Sequence, residues 1–209
     1  MTDVNRRGFL TGALSAAASP GLLAAADHRT VWDLAKAYRE GTPTRERVSI
    51  NGLWRWRPAG DAADAAPVDG WGYLRVPESW PGGSQRWIGP QVFYPHRSWE
   101  KRDLGGVTAA WHQREITVPR EWSGRRVTLC AEYLNSYAVV HVDGATAGEM
   151  RYPAGEVDLT SACRPGRTHL VTMFVVALPL KAVMLSYSDT ASARQVEGRA
   201  GRRGLCGDV

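Results

Sequence analysis

Most of the residue patterns that mark chemistry are missing from this chain. Its 209 residues include three cysteines, Cys130, Cys163 and Cys206, with no C-x-x-C pair. An odd count in that arrangement argues against a disulfide framework or a thioredoxin-like redox motif. Cys130 lies in an apolar run and reads as a small core residue, while a Cys163–Cys206 bridge remains open. The five histidines, His28, His96, His112, His141 and His169, are widely spaced and show no zinc-ligand pattern, so no metal site is expected. No G-x-S-x-G elbow supports a serine hydrolase. The Gly-rich "GRAGRRG" has neither the preceding apolar strand nor the following helix of a phosphate loop, so no cofactor is expected. Heptads, internal repeats and low-complexity tracts are missing, and no apolar run suits a stable membrane anchor. The net charge is +5, but the arginines are scattered among acids without a basic stripe, which argues against nucleic acid as a partner. The local cluster Arg199, Arg202 and Arg203 reads as a solvated tail.

What the chain does have is hydrophobic content of 44% and nine tryptophans, enough for a packed core. Most of those indoles are expected to wedge two sheets apart, with some left for a binding face. Residues 1–26 carry the paired Arg6-Arg7, then Gly8-Phe9-Leu10, an Ala/Leu/Gly run and Ala24-Ala25-Ala26. This resembles a twin-arginine export signal with an A-x-A cleavage site, implying a periplasmic or extracellular protein. Residues 27–46 read as a short helix and linker. Thr30 is placed to cap, Val31, Leu34, Ala35 and Tyr38 share one face, and Gly41 and Pro43 end it.

From about Val48 the hydrophobic period changes to strict alternation, and it holds to about Leu180. The expected strands lie in "RVSINGLWRW", "GWGYLRVPESWPG", "TAAWHQREITVP", "RRVTLCAEYL", "SYAVVHVDGATAGEM" and "THLVTMFVVALPL". Asp143-Gly144 is a two-residue hairpin signal. Alternation there puts Ala138, Val140 and Val142 on one face and Tyr137, Val139 and His141 on the other. "HLVTMFVVAL" is apolar on both faces except at Thr172 and suits a central strand covered on both sides. In "ITVPREWSGRRVTL", Pro119 cannot donate to a ladder and ends a strand, Trp122 covers the core edge, and Ser123-Gly124 turns the chain. That stretch is a corner. Short strands with no βαβ alternation predict an all-β, antiparallel sandwich over residues 47–182.

Several of these segments, in this order, resemble one family. "WHQREITVPREWSGRRVTLCAEYLNSYAVVHVDGATAGEM" followed by "EVDLTSACRPGRTHLVTMFVVA" is similar to the N-terminal jelly-roll, sugar-binding domain of glycoside hydrolase family 2, which includes β-galactosidases, β-glucuronidases and β-mannosidases. Asp143-Gly144 stands where the family has Asn-Gly, and Val157-Asp158-Leu159-Thr160 matches its "f-D-I-T". Two departures are visible: Thr168 or His169 occupies a position that is usually Asn, and Val157 replaces an aromatic. The resemblance implies a galactose-binding-domain-like jelly roll. It also implies a parent enzyme that hydrolyses terminal β-glycosides with retention, β-galactosidase-like in activity. The chemistry of such an enzyme resides in a later barrel, where two glutamates stand about 5 Å apart. A barrel takes about 250 residues, so residues 183–209 read as a truncated tail leading towards a catalytic domain outside this chain.

The resemblance also supplies candidate site residues. "QVFYP" matches a family loop in which an Asn reaches the barrel mouth. Gln91 takes the Asn position and Tyr94 follows it. Glu197 and Arg202 would lie near the same mouth. No catalytic residue is expected within the chain itself: Glu78, Glu100, Glu115, Glu121, Glu132, Glu149 and Asp158 lie in strands or turns beside basic residues. The expected partners are a β-linked oligosaccharide or polysaccharide and the barrel of the same parent protein. The alternative is a free-standing carbohydrate-binding module that stacks exposed Trp side chains on sugar rings.

Overall fold

The computed structural model describes residues 32–59, 65–82, 91–177 and 202–209. The expected signal (1–26), the start of the expected helix and Glu197 lie outside the described residues. The strands are β1 (Arg39–Gly41), β2 (Glu46–Val48), β3 (Gly52–Pro58), β4 (Gly72–Val76), β5 (Phe93–Tyr94), β6 (Ala109–Thr117), β7 (Thr128–Ala131), β8 (Leu134–Asn135), β9 (Tyr137–Val142), β10 (Ala145–Arg151), β11 (Gly155–Asp158), β12 (Thr168–Val176) and β13 (Gly204–Leu205).

Seven of them form one antiparallel sheet in the order β10-β9-β12-β6-β3-β4-β5. The short pairs β7–β11 and β8–β13 supply the opposing layer. Alternation decides which side chains enter the gap. Trp54 and Trp56 of β3, Leu74 and Val76 of β4, Ala138, Val140 and Val142 of β9, and Val171, Met173 and Val175 of β12 all point inward. Leu129 and Ala131 of β7, Val157 of β11, and Leu134 and Leu205 of β8 and β13 meet them from the other side. The layers touch closely: a side chain at Gly148 would come within 2.8 Å of Val157 Cγ1. This is the antiparallel sandwich that the alternation predicts.

The corner behaves as expected. β6 stops before Pro119, a single 3-10 turn covers Arg120–Trp122, Gly124 takes φ 76, and the chain re-enters in the opposing layer as β7. Trp122 packs against the core edge and donates its indole N–H to Glu46 Oε2 at 2.6 Å. The hairpin at Asp143-Gly144 has φ 49 and 86, the two positive values that a type I′ turn requires.

Several expectations are corrected. In the expected helix, the described part from Trp32 is one turn followed by the β1–β2 hairpin. Glu46 in that hairpin pairs with Arg39 and Arg125 and accepts from Trp122, contacts that outweigh weak local helix propensity. "RVSINGLWRW" divides into β2 and β3 at Gly52, whose φ of 122 breaks the run over the Arg114 guanidinium. Phe93–Tyr94, read as loop, adds an edge strand on β4. Cys130 faces outward beside Thr128 and Glu156, and Cys163 is the buried thiol; all three cysteines are free. Strand β12 is central, between β6 and β9, but its second face is only partly covered: Phe174 stacks on Trp111 at 4.8 Å and stays half-buried.

Candidate functional site

Two of the expected site residues, Gln91 and Arg202, lie along one seam. Residues 78–82 leave β4 and run beside the C-terminal segment, which is not a solvated tail. Glu78 N–H donates to Leu205 O, Trp80 N–H to Arg203 O, and Arg203 N–H to Ser79 Oγ. Further along, Ile50 N–H donates to Val209 O at 2.9 Å, Glu132 N–H to Asp208 O, and Asn51 bonds both Asp208 and Val209. Residues 202–209 are therefore stitched between the β3 entry and β8. Gly204, at φ 96, crosses the Trp80 ring so closely that a Cβ there would fall inside the indole.

Arg203 is the residue that the sequence misplaces most. Its side chain is buried and its guanidinium donates to four carbonyls: Val107 O at 2.7 Å, Pro81 O at 2.8 Å, Gly105 O at 3.0 Å and Leu104 O at 3.2 Å. It also lies 6.0 Å from the Trp80 ring centroid. Burial lowers its pKa from the usual arginine value, against the opposing pull of Asp103. Beneath it, Trp80 donates its indole N–H to His112 Nε2 at 3.3 Å. Burial pushes the His112 imidazole down to about 3, so it remains an uncharged acceptor. No signal in the sequence marks Arg203 or His112, because both lie among residues whose local pattern is polar tail or plain strand.

Gln91 and Arg202 meet this seam from opposite sides. Gln91 turns inward and donates through Nε2 to Ser79 O at 2.5 Å and Trp80 O at 3.4 Å, while its Oε1 has no hydrogen-bond partner among the described residues. Val92 N–H is held by Glu78 Oε2 at 2.9 Å. Arg202 is exposed, and its carbonyl accepts from Asn135 Nδ2. Tyr94 stands apart on edge strand β5, 56% exposed, paired to Tyr73. The structure thus brings Gln91 and Arg202 to one segment and leaves Tyr94 beside them on the sheet edge.

The carboxylates are engaged one by one at separate places. Glu78 pairs with Arg75, Glu121 with Arg39, Glu132 with Arg47, Glu149 with Arg151, and Asp158 with Arg126. A glycosidase acid needs a raised pKa. Hydrogen bonds from Thr160 and Arg126 instead hold Asp158 down at about 2, and Glu121 and Asp143 are also lowered.

A second feature lies at the β9–β10 turn. Asp143 Oδ1 accepts Leu170 N–H at 2.8 Å, and Oδ2 lies 2.7 Å from His169 Nδ1. His169 Nε2 accepts Arg164 N–H at 2.9 Å, which fixes the hydrogen on Nδ1, pointing at the carboxylate. Asp143, which stands where the family pattern has Asn, is thus bonded to His169. Both ring nitrogens are occupied, so this Asp–His pair is a brace and not a proton shuttle. A pocket of about 360 Å³ opens beside it, lined by Asp143, Ser161, Arg164, Arg167, Thr168 and His169 among others.

No family model matches the chain. The β-glucuronidase of Canis lupus familiaris is 32% identical over 122 residues, 54% of this chain and 17% of that protein. The β-glucuronidase of Paenibacillus borealis is 24% identical over 140 residues, 66% of this chain and 22% of that protein. Among solved structures, Bifidobacterium dentium β-glucuronidase complexed with coumarin-3-O-glucuronide superposes with a TM-score of 0.54 at 20% identity, covering 80% of this chain and 28% of that one. Faecalibacterium prausnitzii β-glucuronidase gives 0.51 at 23% identity, covering 66% of this chain and 22% of that one. At these identities the structural likeness speaks for the fold.

In fold, the described residues form an antiparallel β-sandwich like that of one part of these solved β-glucuronidases. In sequence the chain is similar to β-glucuronidases, and it spans about a fifth of the length of the curated relatives it matches.

Proposed function

We propose that this chain is the sugar-binding-like jelly-roll domain of an exported family 2 glycosidase of β-glucuronidase type. In this reading it braces a catalytic barrel and presents the Gln91–Tyr94 segment at the barrel mouth, while retaining hydrolysis of a terminal β-glucuronide is done by the barrel's carboxylates. The observation that carries it is the 32% identity to a β-glucuronidase over 122 residues, 54% of the chain. The similarity to β-glucuronidases favours a β-glucuronidase-type parent activity over the β-galactosidase-like one expected from the sequence. Gln91 supports the positioning role, since its amide nitrogen is anchored and its Oε1, without a partner among the described residues, has the chemistry to accept from a sugar hydroxyl. Export by the twin-arginine route rests on Arg6-Arg7 and the A-x-A step.

A free-standing binding module is the weaker reading. Among the described residues no Trp is exposed; the exposed large apolar side chains are Tyr38, Val68, Tyr94 and Tyr152, so the indole platform that reading needs is lacking there. The test is to express whatever the gene encodes through and beyond the Val209 codon and assay it on p-nitrophenyl β-D-glucuronide. Hydrolysis that disappears when a downstream glutamate is replaced is the expected result. A reading frame that closes at Val209, with saccharide binding by the chain alone, sinks the proposal in favour of the module.

A further inference from the structure

We propose that the pocket beside the Asp143–His169 brace binds an acidic saccharide through its oxyanion, a carboxylate or a sulfate. Charge is the first argument. Arg39, Arg47, Arg57, Arg75, Arg125, Arg126 and Arg151 each pair with an acid. Arg164 and Arg167 have no acid partner among the described residues, yet both line the same pocket and are exposed. The one carboxylate in the lining, Asp143, is already engaged by His169 and Leu170 N–H. Asp143 keeps its negative charge, because its two donors are neutral, so the two arginines outweigh it and leave the lining cationic by one charge. Arg120 adds a third cation nearby: a Cβ at Gly166 would sit 3.4 Å from its Nε.

Preorganisation is the second argument. Gly166 N–H donates to Val118 O, Val118 N–H to Arg167 O, Arg167 N–H to Arg164 O, and Arg164 N–H to His169 Nε2. The loop carrying both arginines is thus tied to the corner after β6 and to β12. Binding does not first have to order its backbone. Size and polarity give the third. A volume of about 360 Å³ is far more than a bare oxyanion fills, and it falls within the range of small-ligand sites. Ser161 and Thr168, both in the lining, carry hydroxyls, and Thr168 Oγ1 lies 2.9 Å from Thr117 Oγ1. Planar forks suited to an oxyanion, beside hydroxyls suited to sugar hydroxyls, are the chemistry of an acidic sugar. The site is separate from the Gln91 seam and does not depend on the parent activity.

The test is a ¹H–¹⁵N titration of the whole chain with D-glucuronate, inorganic sulfate and D-glucose. Glucuronate is expected to shift the amides of Arg164, Arg167, Thr168 and His169 saturably, and glucose to leave them in place. The Arg164→Ala/Arg167→Ala double variant should weaken glucuronate binding about tenfold or more while its spectrum stays dispersed, and Arg120→Ala should weaken it less. Sulfate that competes with glucuronate supports the oxyanion contact. Four results overturn the proposal: glucose shifting the same amides as strongly, glucuronate shifting only other regions, unchanged affinity in the double variant, or sulfate binding with no response to glucuronate. None of these readouts involves hydrolysis, so failure here leaves the proposed parent activity standing.

Discussion

Arg203 and the pair Arg164 and Arg167 show one residue type used in opposite ways at two places on the same sandwich. Arg203 is buried against Trp80 and surrounded by carbonyls from residues 81–107, so its charge closes a seam between distant parts of the chain. Arg164 and Arg167 sit at the end of the β11–β12 loop, exposed, lining a pocket and without an acid partner among the described residues. The difference lies in what supports the side chain. Where backbone acceptors converge, an arginine becomes structure; where the backbone acceptors are already used within the loop, it is left for a ligand.

That contrast can be broken from the seam side first. Trp80→Ala removes a fully buried indole that holds His112, Arg203 and Gly204 together. It should destabilise the domain by about 3–5 kcal/mol, read as a lower urea midpoint. Arg203→Met keeps much of the volume but leaves carbonyls at Pro81, Leu104, Gly105 and Val107 without their donor. A loss of about 3 kcal/mol is expected, with faster amide exchange in residues 204–209 than elsewhere. A solvated tail arginine would show neither.

Acid titration is a milder probe. Folded His112 protonates only at about 3, below its ordinary 6.5, so the unfolded chain takes up the proton first. Its contribution to stability is complete above 6.5 and declines as pH falls towards 3. Going down to about pH 5 should cost at most about 2 kcal/mol, and His112→Gln should flatten that decline. The smallest effect belongs to the other region. Arg164→Ala/Arg167→Ala should change the unfolding free energy by no more than about 0.5 kcal/mol, because both side chains are exposed. A large loss there would mean that these arginines are structural after all.

The sandwich was legible because alternation is a local signal. Ala138, Val140 and Val142, the Asp143-Gly144 turn and the Pro119 strand end could each be read within a few residues, and each appears as expected. The seam was not legible, because its bonds join residues far apart in sequence: Arg203 to Ser79, and Asn51 to Asp208. Nothing near Arg203 distinguishes it from Arg202, which is exposed. Gln91 was found through a loop motif, but the motif could not show that its amide turns inward to Ser79 and Trp80. The Asp143–His169 brace had only a partial trace in the sequence, since Asp143 stands where the family pattern has Asn; the register of β12 against β9 reveals that His169 meets it.

The central claim is that this sandwich positions a saccharide and leaves bond cleavage to other residues. The direct measurement is an assay of the purified chain on p-nitrophenyl β-D-glucuronide, scaled to chain concentration. The account predicts nitrophenol release no faster than in buffer. Release that rises in proportion to the chain, and survives repurification, would contradict it.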